Sequence, residues 1–233
     1  MTVGKGHLLR RLGAAVALAA VLVPWVSAAA SPSSFEQMLV RVLRAREVKG
    51  RVILMRSDPF GGPDERESGR LWFLPGRGIR FRTEERGGED LVLDREKQVF
   101  LMYRAGEKVL YRAPWDRAPA RLRQLVSEPE RFLDKDLHAI PERRAIQGIV
   151  RDGYRVRRTS LGDSLPSVSV WIAPEPATGL PRWITAYSEA DTLRIEFRGL
   201  TALDAANPRD LDLHVPRGTE EQPLDPRELL PGD

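Results

Sequence analysis

The residues that could do chemistry in this chain are few. It holds three histidines (His7, His138, His214) and no cysteine. Without a thiol there is no cysteine nucleophile and no thiolate metal site. No H-E-x-x-H, G-x-S-x-G or phosphate-loop pattern is present. The densest cluster is Asp134-Lys135-Asp136-Leu137-His138, two carboxylates and an imidazole at a spacing that could hold a divalent metal. Short runs of this kind also arise in solvated loops, and the charged surroundings favour that reading. Glu189 and Asp191, in "SEAD", form a carboxylate pair of the sort used in acid–base work. Turn chemistry accounts for them more simply, because Asp and Ser stabilise hairpin turns. Arg77, Arg80, Arg82 and Arg86 lie beside aromatic residues, a mixture found in nucleic-acid binders. Glu84, Glu85, Glu89 and Asp90 cancel their field, so a solvated strand face is expected and no nucleic-acid partner. Neither an enzyme nor a metal or cofactor site is expected.

The elements that carry these groups begin after an N-terminal leader. Lys5, Arg10 and Arg11 are followed by an apolar run from Leu12 to Val23, then by Ser27, Ala28, Ala29 and Ala30. That order is the pattern of a cleavable secretory signal, expected over residues 1–30 with cleavage after Ala28 or Ala30. The run is shorter than the roughly 20 apolar residues of a membrane span. The formal charge of +4 includes those three basic residues, so the exported chain is near neutral and its basic pI is no argument for nucleic acid. With no cysteine, no disulfide and no lipid-bearing Cys follow the signal, and an apolar core must hold the fold. A soluble, exported, monomeric protein of one domain is expected over 31–219, with a flexible tail over 220–233.

Phe35, Met38, Leu39, Val42 and Leu43 recur at helical spacing, and the pattern predicts a helix from Phe35 to Glu47 capped by Ser33 or Ser34. Short strands follow: Arg51 to Arg56, the runs around "RLWFLPGRGIRF", Leu91 to Asp94, Gln98 to Tyr103 and Val109 to Arg112. From Trp115 to Val126 the pattern is that of a modest amphipathic helix. The segment 113–144, rich in Pro and charge, reads as a lid or insertion without strands. Strands resume at Ala145 to Val150, Tyr154 to Thr159, Ser167 to Ile172, Pro181 to Tyr187, Thr192 to Gly199 and Leu211 to Val215. The order predicts an α+β fold of about ten to eleven antiparallel strands, with helices to one side. A sheet of that size curls, and its apolar side then becomes either a filled core or a covered hydrophobic cavity.

The sequence resembles the LolA-type periplasmic carriers of outer-membrane lipoproteins. "GRLWFLPGRGIRF" is similar to that family's G-x-L-W-x-x-R-P-x-x-F-x-W segment. "EDLVLDREKQVFLMYRAGEKVL", "LPRWITAYSEADTLRIEFRGLTA" and "LDLHVPRGTE" resemble its later strand pair, its late hairpin and its closing F-x-P-P-x-G. The resemblance implies an incomplete antiparallel β-barrel enclosing a hydrophobic cavity covered by helices. It implies a cavity for acyl chains lined by Phe73, Ile79, Phe81, Leu91, Leu93, Phe100 and Met102, beneath a lid carrying Leu39, Leu43, Leu122 and Leu125. It implies a periplasmic carrier that ferries lipoproteins or related lipids between an inner-membrane release complex and an outer-membrane acceptor. A sensor or interaction module on the same fold is the alternative. The family's Arg before the motif Pro is absent, since Leu74 precedes Pro75 and a gapless match puts Pro75 in its place. Its "SDG" turn is replaced by "DREK", and its closing aromatic by His214.

Overall fold

Among the described residues, twelve strands build one sheet, and two short α-helices lie against it. The computed structural model describes residues 34–57, 64–85, 87–118, 120–129, 137–158, 169–187 and 192–224. Helix α1 (Ser34–Arg44) leads into β1 (Glu47–Arg56), β2 (Glu65–Leu74), β3 (Gly78–Thr83), β4 (Glu89–Asp94), β5 (Val99–Arg104) and β6 (Val109–Pro114). A 3-10 turn (Trp115–Arg117) and helix α2 (Ala120–Ser127) follow. The chain then returns through β7 (Leu137–Ile146), β8 (Ile149–Arg158), β9 (Ser169–Pro174), β10 (Pro181–Tyr187) and β11 (Thr192–Leu203). A second 3-10 turn (Pro208–Leu211) and β12 (Glu220–Pro223) end the described chain.

The strand order is β12-β6-β5-β4-β3-β2-β1-β11-β10-β9-β8-β7. It is linear, so the sheet is an open, unclosed barrel with β12 and β7 at its edges. Every pairing is antiparallel except β12 against β6, which is parallel. Two meanders, β1 to β6 and β7 to β11, meet at the β1–β11 ladder. That ladder shifts register between Lys49 and Arg51, where Gly50 comes so close to β11 that an added Cβ would stand 2.9 Å from the Leu200 Cα. Lys49-Gly50, just past the expected end of the first helix at Glu47, is therefore a bulge inside β1. The helix stops at Arg44 instead.

Two strands depart from the sequence expectation. β7 begins at Leu137, inside the segment expected to lack strands. Its Pro141 and its charges hide the usual alternation, and both are tolerated because β7 is an edge strand. β12 occupies the start of the expected tail, and Leu224 beyond it is buried. In contrast, Leu211 to Val215, expected as a strand, is a 3-10 turn and an extended strap.

Period-two alternation sorts the side chains between faces. On the inner face, Leu71, Phe73, Ile79, Phe81, Leu91, Leu93, Phe100 and Met102 join residues of β1, β8 to β11 and both helices in one apolar cluster. On the outer face, Leu74 and Val92 pack with Leu211 of the strap, flanked by Trp72, Leu101 and Leu213. A third cluster, Trp171, Ala173 and Trp183 with Met55 and Ile146, lies on the outer face of the second meander. Leu71-Trp72-Phe73-Leu74 is apolar throughout because both its faces are covered, one by the inner cluster and one by the strap.

Candidate functional site

The apolar inner face and the helices across it are the place where this fold gathers its predicted site residues. α1 presents Phe35, Met38, Leu39 and Val42 at i, i+3, i+4 and i+7, all buried. α2 presents Leu122, Leu125 and Val126, none more than 1% exposed. Phe73, Ile79, Phe81, Leu91, Leu93, Phe100 and Met102 meet Leu39, Leu122 and Leu125 in the same cluster, with Leu43 partly buried against it. The structure thus brings all eleven predicted residues together, packed against one another.

Polar bonds fasten both helices as well. At α1, the Ser34 and Tyr154 hydroxyls hydrogen-bond to each other, and the Arg41 guanidinium donates to the Thr178 carbonyl. The Phe35 and Tyr154 rings lie 5.4 Å apart. At α2, the Gly76 N–H donates to the Val126 carbonyl at 2.8 Å. Gly76 has φ +80, a left-handed conformation that suits glycine in the β2–β3 turn. Arg95 Nη1 then reaches the carbonyls of Gly76 and Ser127 at 3.3 and 3.4 Å. Arg95, from "DREK", thus adds a side-chain link between the β2–β3 turn and α2. Only its presence in a turn, facing another turn, makes Arg95 a bridge, and no sequence spacing signals that.

The outer face carries charge rather than chemistry. Arg80 was expected on a solvated face. It does point away from the core, but the strap covers it, leaving it 8% exposed. It makes a bidentate pair with Asp90 (2.8 and 2.6 Å), donates to the Asp210 and Asp212 carbonyls (3.1 and 2.8 Å), and lies 5.1 Å over the Trp72 ring. Lys49 bridges Glu47 and Asp210 at 2.7 and 3.0 Å, and hydrogen bonds to these two carboxylates hold its pKa above the ordinary 10.5. Lys97 bonds Asp212 at 2.7 Å, which raises the lysine and lowers the Asp212 carboxyl below the ordinary 3.8. Three cations therefore clamp the strap from below. Arg77 pairs with Glu96 at 3.0 Å, Arg82 is exposed, and Arg86 lies outside the described residues.

The catalytic-looking clusters give nothing to build on. Asp134, Asp136, Glu189 and Asp191 lie outside the described residues, as does the His138 side chain. Among the described residues no group of three or more His, Asp or Glu could hold a metal. His214 is exposed on the strap. Two surface pockets flank the sheet. One, of about 330 Å³, lies over the β1 bulge among Lys49, Arg51, Arg70 and Trp72. The other, of about 390 Å³, lies where Ser34 at the start of α1 meets Tyr154, Pro141 and Pro174. No helix among the described residues is long and apolar enough to cross a membrane.

No family model and no curated protein matches the chain. Among solved structures it is similar to an uncharacterized conserved protein from Thermus thermophilus, with TM-score 0.51 and 12% identity over 82% of this chain and 100% of that one. It is also similar to MucB in the Pseudomonas aeruginosa MucA/MucB complex, with TM-score 0.45 and 13% identity over 78% of this chain and 60% of that one. A LolA superfamily protein from Nitrosomonas europaea aligns with TM-score 0.37 and 10% identity over 79% of this chain and 99% of that one. The likeness to the Thermus protein is one of fold. The open twelve-stranded sheet with helices on its inner face is the incomplete barrel that the LolA-like motifs imply.

Proposed function

We propose that this protein is a periplasmic carrier that takes up the acyl chains of lipoproteins or related lipids on the inner face of its open barrel. The observation that supports it most is the composition of the inner cluster. One continuous apolar face, drawn from both halves of the sheet, has two short helices of 11 and 8 residues lying across it. Such a face offers acyl chains about 0.8 kcal/mol per buried methylene. The helices occupy that face when no cargo is bound, so cargo must displace them, and net affinity falls by the work of displacement. A carrier needs that property, because it must release what it holds. The N-terminal leader, the lack of catalytic motifs in the sequence and the LolA-like motifs fit the same reading. An inner-membrane release complex and an outer-membrane acceptor would be its partners.

The test is uptake of a fluorescent fatty acid by the protein recovered after export, with native mass spectrometry to count bound lipid. Ile79→Glu, which a vacant cavity would tolerate, here puts a carboxylate into a packed cluster and would unfold the chain. Substitutions in the helices are the better probe, as set out in the Discussion. Failure to bind any acyl chain under these conditions would remove the proposal.

The packing itself supports a second reading. Seven strand residues and the helices fill the inner face, as suits an envelope sensor or interaction module on the same fold. Stable capture of one envelope protein by a chain that binds no lipid would favour it.

A further inference from the structure

We propose that the β7–β8 hairpin is a membrane-docking device that seats its tip in an anionic bilayer surface. The inference does not depend on where cargo binds. β9 pairs with β8 only from Tyr154 to Val156, so beyond that point the ribbon leaves the ladder and lies against the Trp171 cluster with one face. Five residue steps, about 17 Å of ribbon, separate Tyr154 from Ile149 beside the turn. Its tip is the two-residue turn Gln147-Gly148, with φ 52 and 77, the narrow turn that suits strand twist.

One face of this ribbon is braced as far as Ile146, beside the turn. Trp171 lies against the Gly153 backbone so closely that an added Cβ would stand 2.6 Å from the indole, and its Nε1 donates to the Glu142 carbonyl at 3.1 Å. Arg144 lies over the Trp171 and Tyr187 rings at 5.8 and 4.8 Å, and Ile146 packs on the Trp171 cluster. Across the turn from Ile146, by contrast, the apolar side chains of β8 are uncovered. Val150 is 65% exposed and Ile149 55%, and Ile140 further down is 40% exposed. Three of the four exposed large hydrophobics among the described residues belong to this one hairpin.

Charge identifies the occupant. Residues 137–158 hold six arginines against Glu142 and Asp152, a surplus of four basic residues in a chain that is near neutral once the basic leader is set aside, so the rest of it is net acidic. The two acids are already engaged: Asp152 pairs with Arg143, and Glu142 with Arg144 and Arg155. A basic ribbon with an aliphatic tip matches a surface whose headgroups are anionic and whose interior is apolar. A second copy fits poorly, since two such ribbons repel. An added strand fits poorly too, since Pro141 removes a donor from the β7 edge.

The experiment is flotation of the exported, purified chain with vesicles of phosphatidylcholine alone or mixed with phosphatidylglycerol, at low and high salt. Every variant carries the same N-terminus, so differences belong to the hairpin. Wild type should partition about tenfold more strongly onto the anionic vesicles, and high salt should release it. Ile149→Ser with Val150→Ser should lower that partition by about tenfold, with the circular dichroism spectrum and Tm unchanged because both side chains are exposed. Arg143→Gln with Arg151→Gln should remove the preference for anionic lipid. Equal binding to both vesicle types, no binding to either, or wild-type flotation of the serine variant would overturn the proposal. So would a wild-type dimer that the serine substitutions dissolve without any effect on vesicles, because the tip would then be a protein contact. Leu125→Ala should float like wild type, so failure of acyl uptake and failure of docking are read separately.

Discussion

Shortening Leu125 to alanine should make the protein less stable and a better binder at once. Leu125 is 0% exposed, on the face of α2 that meets the inner sheet. Leu→Ala at such a site costs about 3 kcal/mol, the methylenes lost from the core plus the space left behind. If acyl chains enter only after α2 has lifted, the same change makes lifting easier by about 3 kcal/mol. In the lifted state the residue at 125 faces water in both proteins and contributes little to the difference. At about 1.4 kcal/mol per decade, affinity for an acyl chain should rise by up to about 100-fold. Urea unfolding gives the first quantity and displacement of a fluorescent fatty acid the second. Val92→Ala is the control, because Val92 is 1% exposed but sits in the outer cluster under the strap. It should lose about 1–2 kcal/mol of stability with no gain in affinity. A Leu125→Ala protein that is destabilised yet binds acyl chains no more tightly would refute the reasoning, since α2 would then be core and not a cover.

Arg95→Ala removes two long, exposed hydrogen bonds to Gly76 and Ser127, and should cost less than about 1 kcal/mol in urea while quickening fatty-acid uptake in stopped flow. Arg80→Ala leaves Asp90 buried without its bidentate partner and the strap without an anchor, so it should cost about 3–5 kcal/mol. Arg80→Met with Asp90→Leu should recover most of that in the same unfolding experiment. The clamp on the strap also sets a pH window. Asp212 is depressed by Lys97, so its contribution holds above the ordinary carboxylate value of 3.8 and is lost as pH falls through the lowered one. Lys49 and Lys97 are raised, so theirs hold below 10.5 and are lost as pH rises through the raised values. Tm should therefore be flat between these limits and fall outside them, and Asp212→Asn should blunt the acid arm. Gly153→Ala would drive a methyl into the Trp171 ring and should lower Tm, with loss of about 1–3 kcal/mol.

Alternation carried most of the fold from sequence to structure. Ile79 and Phe81 against Arg80 and Arg82, or Leu193, Ile195 and Phe197 against Arg194, Glu196 and Arg198, sort onto the two faces of a strand, although Glu196, like Arg80, is buried on its own face. Alternation names the face but not its cover. Arg80 read as solvated because the strap that buries it lies 130 residues further along the chain. β7 was missed for the opposite reason, because an edge strand carrying Pro141 need not alternate. The site residues were legible as a set, since an apolar strand face and two apolar helix stripes must meet somewhere. Their packing was not, because filling depends on how closely α1 and α2 approach the sheet. Arg95 was illegible altogether, since it acts through two backbone carbonyls that no residue type announces.

The seam between the two meanders has a consequence for the order of assembly. Val52 of β1 pairs with Phe197 of β11, 145 positions later. β2 to β6 and β7 to β10 are runs of neighbouring hairpins that can form as soon as each is available. The seam cannot form until β11 has emerged, and closing so long a loop carries an entropic cost that local hairpins escape. Until then β1 exposes one edge and β10 another, each ready to pair with a stranger. A chain threaded through a membrane from its N-terminus would present the first half of its sheet, unsealed, for the whole time the second half takes to arrive. A chain that folds as it emerges from its N-terminus therefore needs the β1 edge covered until β11 arrives.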